Sequence, residues 1–136
     1  MADDNDFQQT LVHKVRDSDL VFLVNIVNKT HASIGVSLLI KGILVTGQLI
    51  SGKTYYESVA EELKAAGDAG VSLSAYFSNK ADSIYSPEEG KDAPNGFLHL
   101  KEVSVRNSGG DLGAINGACI RMKIEEIDGH FLGSMS

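Results

Sequence analysis

Four groups of residues in this chain have the types and spacing for chemistry. They are Ser51-Gly52-Lys53-Thr54, a glycine-rich stretch at 107–117, a single cysteine and four histidines. Gly-Lys-Thr has the form of the end of a phosphate-binding loop, where backbone amides and a lysine cradle phosphate oxygens. That motif needs a glycine five residues earlier in a loop, and here the residue is Gly47, inside a strand pattern. The stretch Asn107 to Gly117, NSGGDLGAING, lacks the lysine and hydroxyl of such a loop, so a connector between strands is expected. His13, His31, His99 and His130 share no His-x-x-x-His spacing and are expected at element ends or on the surface rather than as metal ligands. Cys119 is the only cysteine, which excludes an intrachain disulfide and a cysteine-based zinc cluster. Nucleophilic cysteines need an electropositive, accessible setting, so Cys119 is expected to be a reduced, partly buried strand residue. Glu125, Glu126 and Asp128 gather at an expected turn, where solvated carboxylates are the simpler reading. No nucleophile, base and orienter set emerges. The expectation is a protein with no catalytic residues, no cofactor and no metal.

The elements that would position any site come next. With 136 residues, 43% hydrophobic and 22% charged, the chain has the size and composition of one globular domain, 1–136. Its net charge of −6, without a Lys/Arg cluster, disfavours nucleic acid and an anionic membrane surface. No apolar run approaches the roughly 20 residues that span a bilayer. The acidic start MADDNDFQQT is not a secretory signal, and a cytoplasmic location is expected.

Residues 1–9 read as an acidic tail. Leu20, Leu23, Val24 and Val27 recur at helical spacing behind a cap at Ser18-Asp19, and Asn28 to His31 ends that helix. Phe22 and Ile26 widen its apolar stripe; a strand over 20–27 is the alternative, given the β-branched content. Ile34, Val36, Leu38 and Ile40 alternate, Lys41-Gly42 breaks the run, and Ile43, Val45, Gly47 and Leu49 start a second strand. Gly47 falls on the core face, which marks a bend or a close backbone approach. Ser51-Gly52-Lys53 reads as a turn, and Thr54 with Glu57 as the capping box of a helix over 54–66 that stops at Gly67. Residues 68–95 could hold a short helix but read mainly as a flexible insertion. Phe97 to Val105 forms a strand whose phase shifts at Lys101-Glu102, the sign of a bulge or strong bend. Ala118 to Glu125 alternates as a further strand. Asp128-Gly129 predicts a tight hairpin returning as Phe131-Leu132-Gly133.

The fold class is α+β or mostly β, with about five strands. Two arrangements fit: a small bent antiparallel sheet, or an Sm-like (SH3-like) half-open barrel, with an N-terminal helix and an inserted helix. Leu39, Leu44 and Ile50 lie on faces opposite the expected core. With Tyr55, Tyr56, Phe22 and Ile26 they form the candidate interaction surface, and a homo-oligomer is expected.

The run Ile34 to Ser58, with KG, ILVTGQLIS and KTYYES, resembles the gas vesicle protein U family. Asp19 to His31, Phe97 to Lys101 and the closing KIEEIDGHFLGS of Lys123 to Ser134 are similar to the same family, in its order. Together they cover roughly two thirds of the chain. The resemblance implies an accessory protein of gas vesicles rather than a shell subunit. Its implied role lies in how vesicles assemble or cluster in the cytoplasm. The implied partners are the vesicle shell or other accessory proteins, with no substrate or cofactor and no catalytic residue to carry over. The alternative from another class is an Sm-like RNA-binding ring subunit, which the net charge disfavours.

Overall fold

The computed structural model describes residues 15–107, 109–115 and 118–133. Helix α1 spans Ser18–Thr30, one residue after its actual N-cap. That cap is Asp17, whose carboxylate accepts hydrogen bonds from the amides of Asp19 and Leu20. The helix ends at His31, which adopts a left-handed conformation with φ of 59°. Its spacing buries Leu20, Val24 and Val27 on the sheet, and Phe22 points away, 62% exposed.

Strands β1 (Ile34–Ile40) and β2 (Ile43–Ile50) pair as the expected hairpin. Lys41 and Gly42 both have positive φ, 50° and 81°, as a two-residue type I′ turn requires. Strand β3 (Phe97–Asn107) pairs with β2 and carries the expected bulge. There, Gly47 alone occupies the step between Thr46, paired with Ser104, and Gln48, paired with Lys101. Glu102 takes up the extra residue at φ 54°. A Cβ on Gly47 would lie 2.8 Å from the Lys101 carbonyl oxygen, so the close approach needs glycine. The bulge keeps Leu98, Leu100 and Val103 all in the core.

Several expectations fail. The first concerns the end of the second strand. Ser51 is an N-cap rather than part of a turn, and helix α2 runs over Gly52–Lys64. The Ser51 hydroxyl takes the amide of Thr54, a bond that the Thr54–Glu57 box would have provided three residues later. The second concerns 68–95, whose first half lies in a 17-residue helix, α3 (Gly67–Ser83), antiparallel to α2. Its contacts use the small residues Ala60, Gly70 and Ser74, and the Ser74 hydroxyl donates to the Ala60 carbonyl at 2.8 Å. The glycine-rich stretch, expected as a connector, contains strand β4 (Gly110–Ile115).

The third concerns the terminal hairpin. Strand β5 (Ile120–Lys123) pairs with β3, whereas β6 (Gly129–Leu132) pairs with β1 on the far edge. Asp128 is therefore not a hairpin turn. Its amide donates to the Leu39 carbonyl, and its carboxylate accepts from the Lys41 amide. Ile124, fully buried in a short 3₁₀ turn at Ile124–Glu126, draws the chain under the sheet.

Strands β4 and β5 lie end to end along the same edge of β3, so six strands fill five ranks. All are antiparallel and the sheet is not closed, which makes this a mixed α+β fold with a small bent sheet. The bend follows from the link between β5 and β6. Its five residues, Ile124 to Asp128, make six Cα steps, three at 3₁₀ rise and three extended, which reach about 16 Å. Four flat inter-strand spacings would need about 19 Å. One face of the sheet, with α1, encloses the main core. The hairpin α2–α3 sits on part of the other face, around a second cluster of Tyr56, Ala81, Tyr85 and Ala93.

Candidate functional site

The most built-up feature outside the main core is the seat of the α2–α3 hairpin. The β3–β5 register puts His99 opposite Arg121 and Phe97 opposite Lys123, all on the face away from α1. His99 is 1% exposed and lies among rings: Tyr55 at 4.6 Å, Tyr85 at 5.7 Å and Tyr56 at 6.1 Å. Phe77 of α3 joins through Tyr56. Arg121 Nη1 donates to His99 Nε2 and to the Tyr85 hydroxyl, each at 3.0 Å. Its guanidinium carbon sits 3.8 Å over the Phe97 ring. Burial, and then the charge of Arg121, push the His99 pKa down to about 3. His99 is thus a neutral acceptor with its proton on Nδ1, unsuited to proton transfer near neutrality.

Tyr85 also explains Gly52. A Cβ on that glycine would overlap the Tyr85 ring. The phosphate-loop reading of Ser51 to Thr54 fails on the same geometry. The Gly52 amide donates to Asn28 Oδ1 at 3.0 Å, and the Thr54 amide to Ser51 Oγ. Lys53 turns to Glu57 at 3.9 Å. A cleft of about 550 Å³ opens beside this helix start, lined by Asn25, Asn28, Lys29, His31, Lys53 and residues 85–93.

The other chemical candidates are dispersed. Cys119 is half-buried, and burial followed by the charge of Glu62 raises its pKa, away from thiolate. Lys101 opposes that shift without reversing it. His31 Nδ1 lies 3.1 Å from Ser51 Oγ at the end of α1. His13 lies outside the described residues. His130 meets Asp17 at 4.0 Å, and with Asp19 these three offer ligand atoms within 4.8 Å of one another. Asp17 already caps α1 there, and the positive end of a helix is a poor seat for a cation.

The seven residues expected to form one interaction surface fall in separate places. Leu39 is 44% exposed and Leu44 is half-buried beside it, on adjacent strands. Phe22 is exposed and Ile26 half-buried on α1. Ile50 and Tyr56 are buried, and Tyr55 is half-buried at the seat. Phe131, exposed on β6 on the same face as Leu39, and Leu132, exposed on the other face of that strand, were not foreseen. Neither was the ring of His99, Arg121 and Tyr85. Its one sequence signal was the alternation that puts Arg121 and Lys123 on the outer phase of their strand.

An open-sheet α+β protein of this kind, with apolar and aromatic groups displayed on the sheet and helices, is the class the geometry defines. Over residues 17–135 the chain matches the family described as gas vesicle protein GvpU-like, and it belongs to that family. Gas vesicle association follows from that membership. No curated protein and no solved structure matches the chain significantly. Among the described residues no helix is long and apolar enough to cross a membrane.

Proposed function

We propose that this chain is a single-domain, non-enzymatic accessory protein that acts in the cytoplasm by self-association and by contact with the vesicle shell or another gas vesicle accessory protein. The observation that carries the proposal is the family match over 17–135. Its physical support is the apolar row Leu44, Leu39 and Phe131 across β2, β1 and β6. Phe131 and Leu39 are each 44% exposed. Grouped exposed side chains of this kind favour burial against a partner. An Sm-like RNA-binding role gains no support from an open sheet on a chain of charge −6. Flotation tests the proposal, since gas-filled vesicles rise on centrifugation. The full chain mixed with vesicles is expected in the floating layer.

A further inference from the structure

Arg121 is held by four side chains at the seat of the α2–α3 hairpin. The Tyr85 hydroxyl and His99 Nε2 occupy its Nη1 hydrogens, Phe97 covers one side of the guanidinium, and the Tyr56 ring centre lies 5.6 Å from Cζ. None of these partners is an acid, and no carboxylate among the described residues pairs with it. Holding a half-buried guanidinium without a counter-charge is costly, and a neutral donor would have satisfied His99 and Tyr85. The Nε and Nη2 hydrogens keep no protein partner among the described residues.

Two further cations stand around the same rings. Lys123 is exposed, two residues along β5 on the same face and opposite Phe97. Lys80 Nζ lies 6.0 Å from the Tyr56 ring centre and 5.4 Å from that of Tyr76. Neither forms an ion pair among the described residues. In a chain of charge −6 this is a local excess of positive charge on a rigid aromatic base.

We propose that Arg121, flanked by Lys123 and Lys80, is a recognition site for the carboxylates of an acidic peptide segment on a partner protein. This rests on the partner-binding reading above. A planar guanidinium held in place matches a carboxylate through paired N–H···O bonds, and its fixed geometry reduces the ordering lost on binding. The cations are few and the chain is acidic overall, so an extended polyanion such as RNA would be repelled beyond the immediate site.

The test uses the full chain and two fluorescein-labelled peptides: one with four glutamates spaced by apolar residues, and its glutamine counterpart. Fluorescence anisotropy is expected to show the glutamate peptide binding about tenfold or more tighter, with the preference shrinking as salt rises. Lys123→Glu, an exposed change that leaves the far-UV circular dichroism unaltered, is expected to weaken it about fivefold or more, and Arg121→Lys about tenfold. Equal affinity for both peptides, or no effect of Lys123→Glu, would overturn the site. Tighter binding of a polyuridylate RNA than of the glutamate peptide would overturn the class of partner. Loss of peptide preference with flotation retained removes this site only, whereas failure to float removes the partner-binding reading.

Discussion

His99 was expected at an element end or on the surface, and it is instead the buried centre of the hairpin seat. Nothing local in Leu98-His99-Leu100 announces this, because the covering rings come from Tyr55, Tyr56 and Tyr85, distant in sequence. Its pKa of about 3 in the folded protein lies below the roughly 6.5 of an unfolded chain, so the unfolded state takes the proton first. The stabilisation is therefore complete above about pH 6.5 and is lost as pH falls toward 3. Between about pH 6 and 5 the wild type is expected to lose about 1 kcal/mol more than His99→Gln, read from urea titrations at each pH. A wild-type slope equal to that of the variant would refute the buried neutral histidine. Gly52 carries a second prediction at this scale. Its sequence neighbours suggested phosphate chemistry, but the absent side chain is space for Tyr85. Gly52→Ala is expected to cost about 2 kcal/mol in chemical denaturation, because the clash falls on a packed ring. A change within about 0.5 kcal/mol would mean that Tyr85 moves aside freely.

At the scale of elements, the sequence was legible where periodicity and a local signal agreed. The hairpin β1–β2 had alternation on both sides of Lys41-Gly42, and α1 had a 3.6-residue stripe ending at His31. The bulge at Glu102 was visible as a phase shift, and Gly47 as a missing side chain on the core face. These two observations turn out to be one feature, since the glycine faces the bulge across the β2–β3 pair. Gly47→Ala is expected to destabilise the protein by about 2 kcal/mol, because the obstructing atom is a backbone carbonyl tied into the ladder. Urea unfolding measures it, and an unchanged midpoint would show that the bulge is not rigid. Helix α3 was underread because its buried positions are Gly70, Ser74 and Ala81, and hydrophobicity does not register small residues as a packing face. Asp128-Gly129 misled for the opposite reason. A strong turn signal was overridden by Ile124, whose burial sends the chain beneath the sheet to pair with β1 instead of β5.

For the whole molecule, the family was legible because its framework of apolar and glycine positions is ordered along nearly the full chain. The site was less so. Of the seven residues read as one surface, Ile50 and Tyr56 serve the interior, while Leu39 and Leu44 lie in an apolar row that Phe131 completes. Only the pairing of β6 with β1, a contact across some ninety residues, brings that last ring into place. We propose that this displayed row attaches the protein to gas vesicles. Flotation of the full chain with purified vesicles tests it most directly, comparing the wild type with a Leu39→Glu, Phe131→Glu double variant whose far-UV circular dichroism matches it. Wild-type protein is expected in the floating layer and the variant left below. Wild-type protein remaining below the vesicles, or a variant that floats equally well, would contradict it.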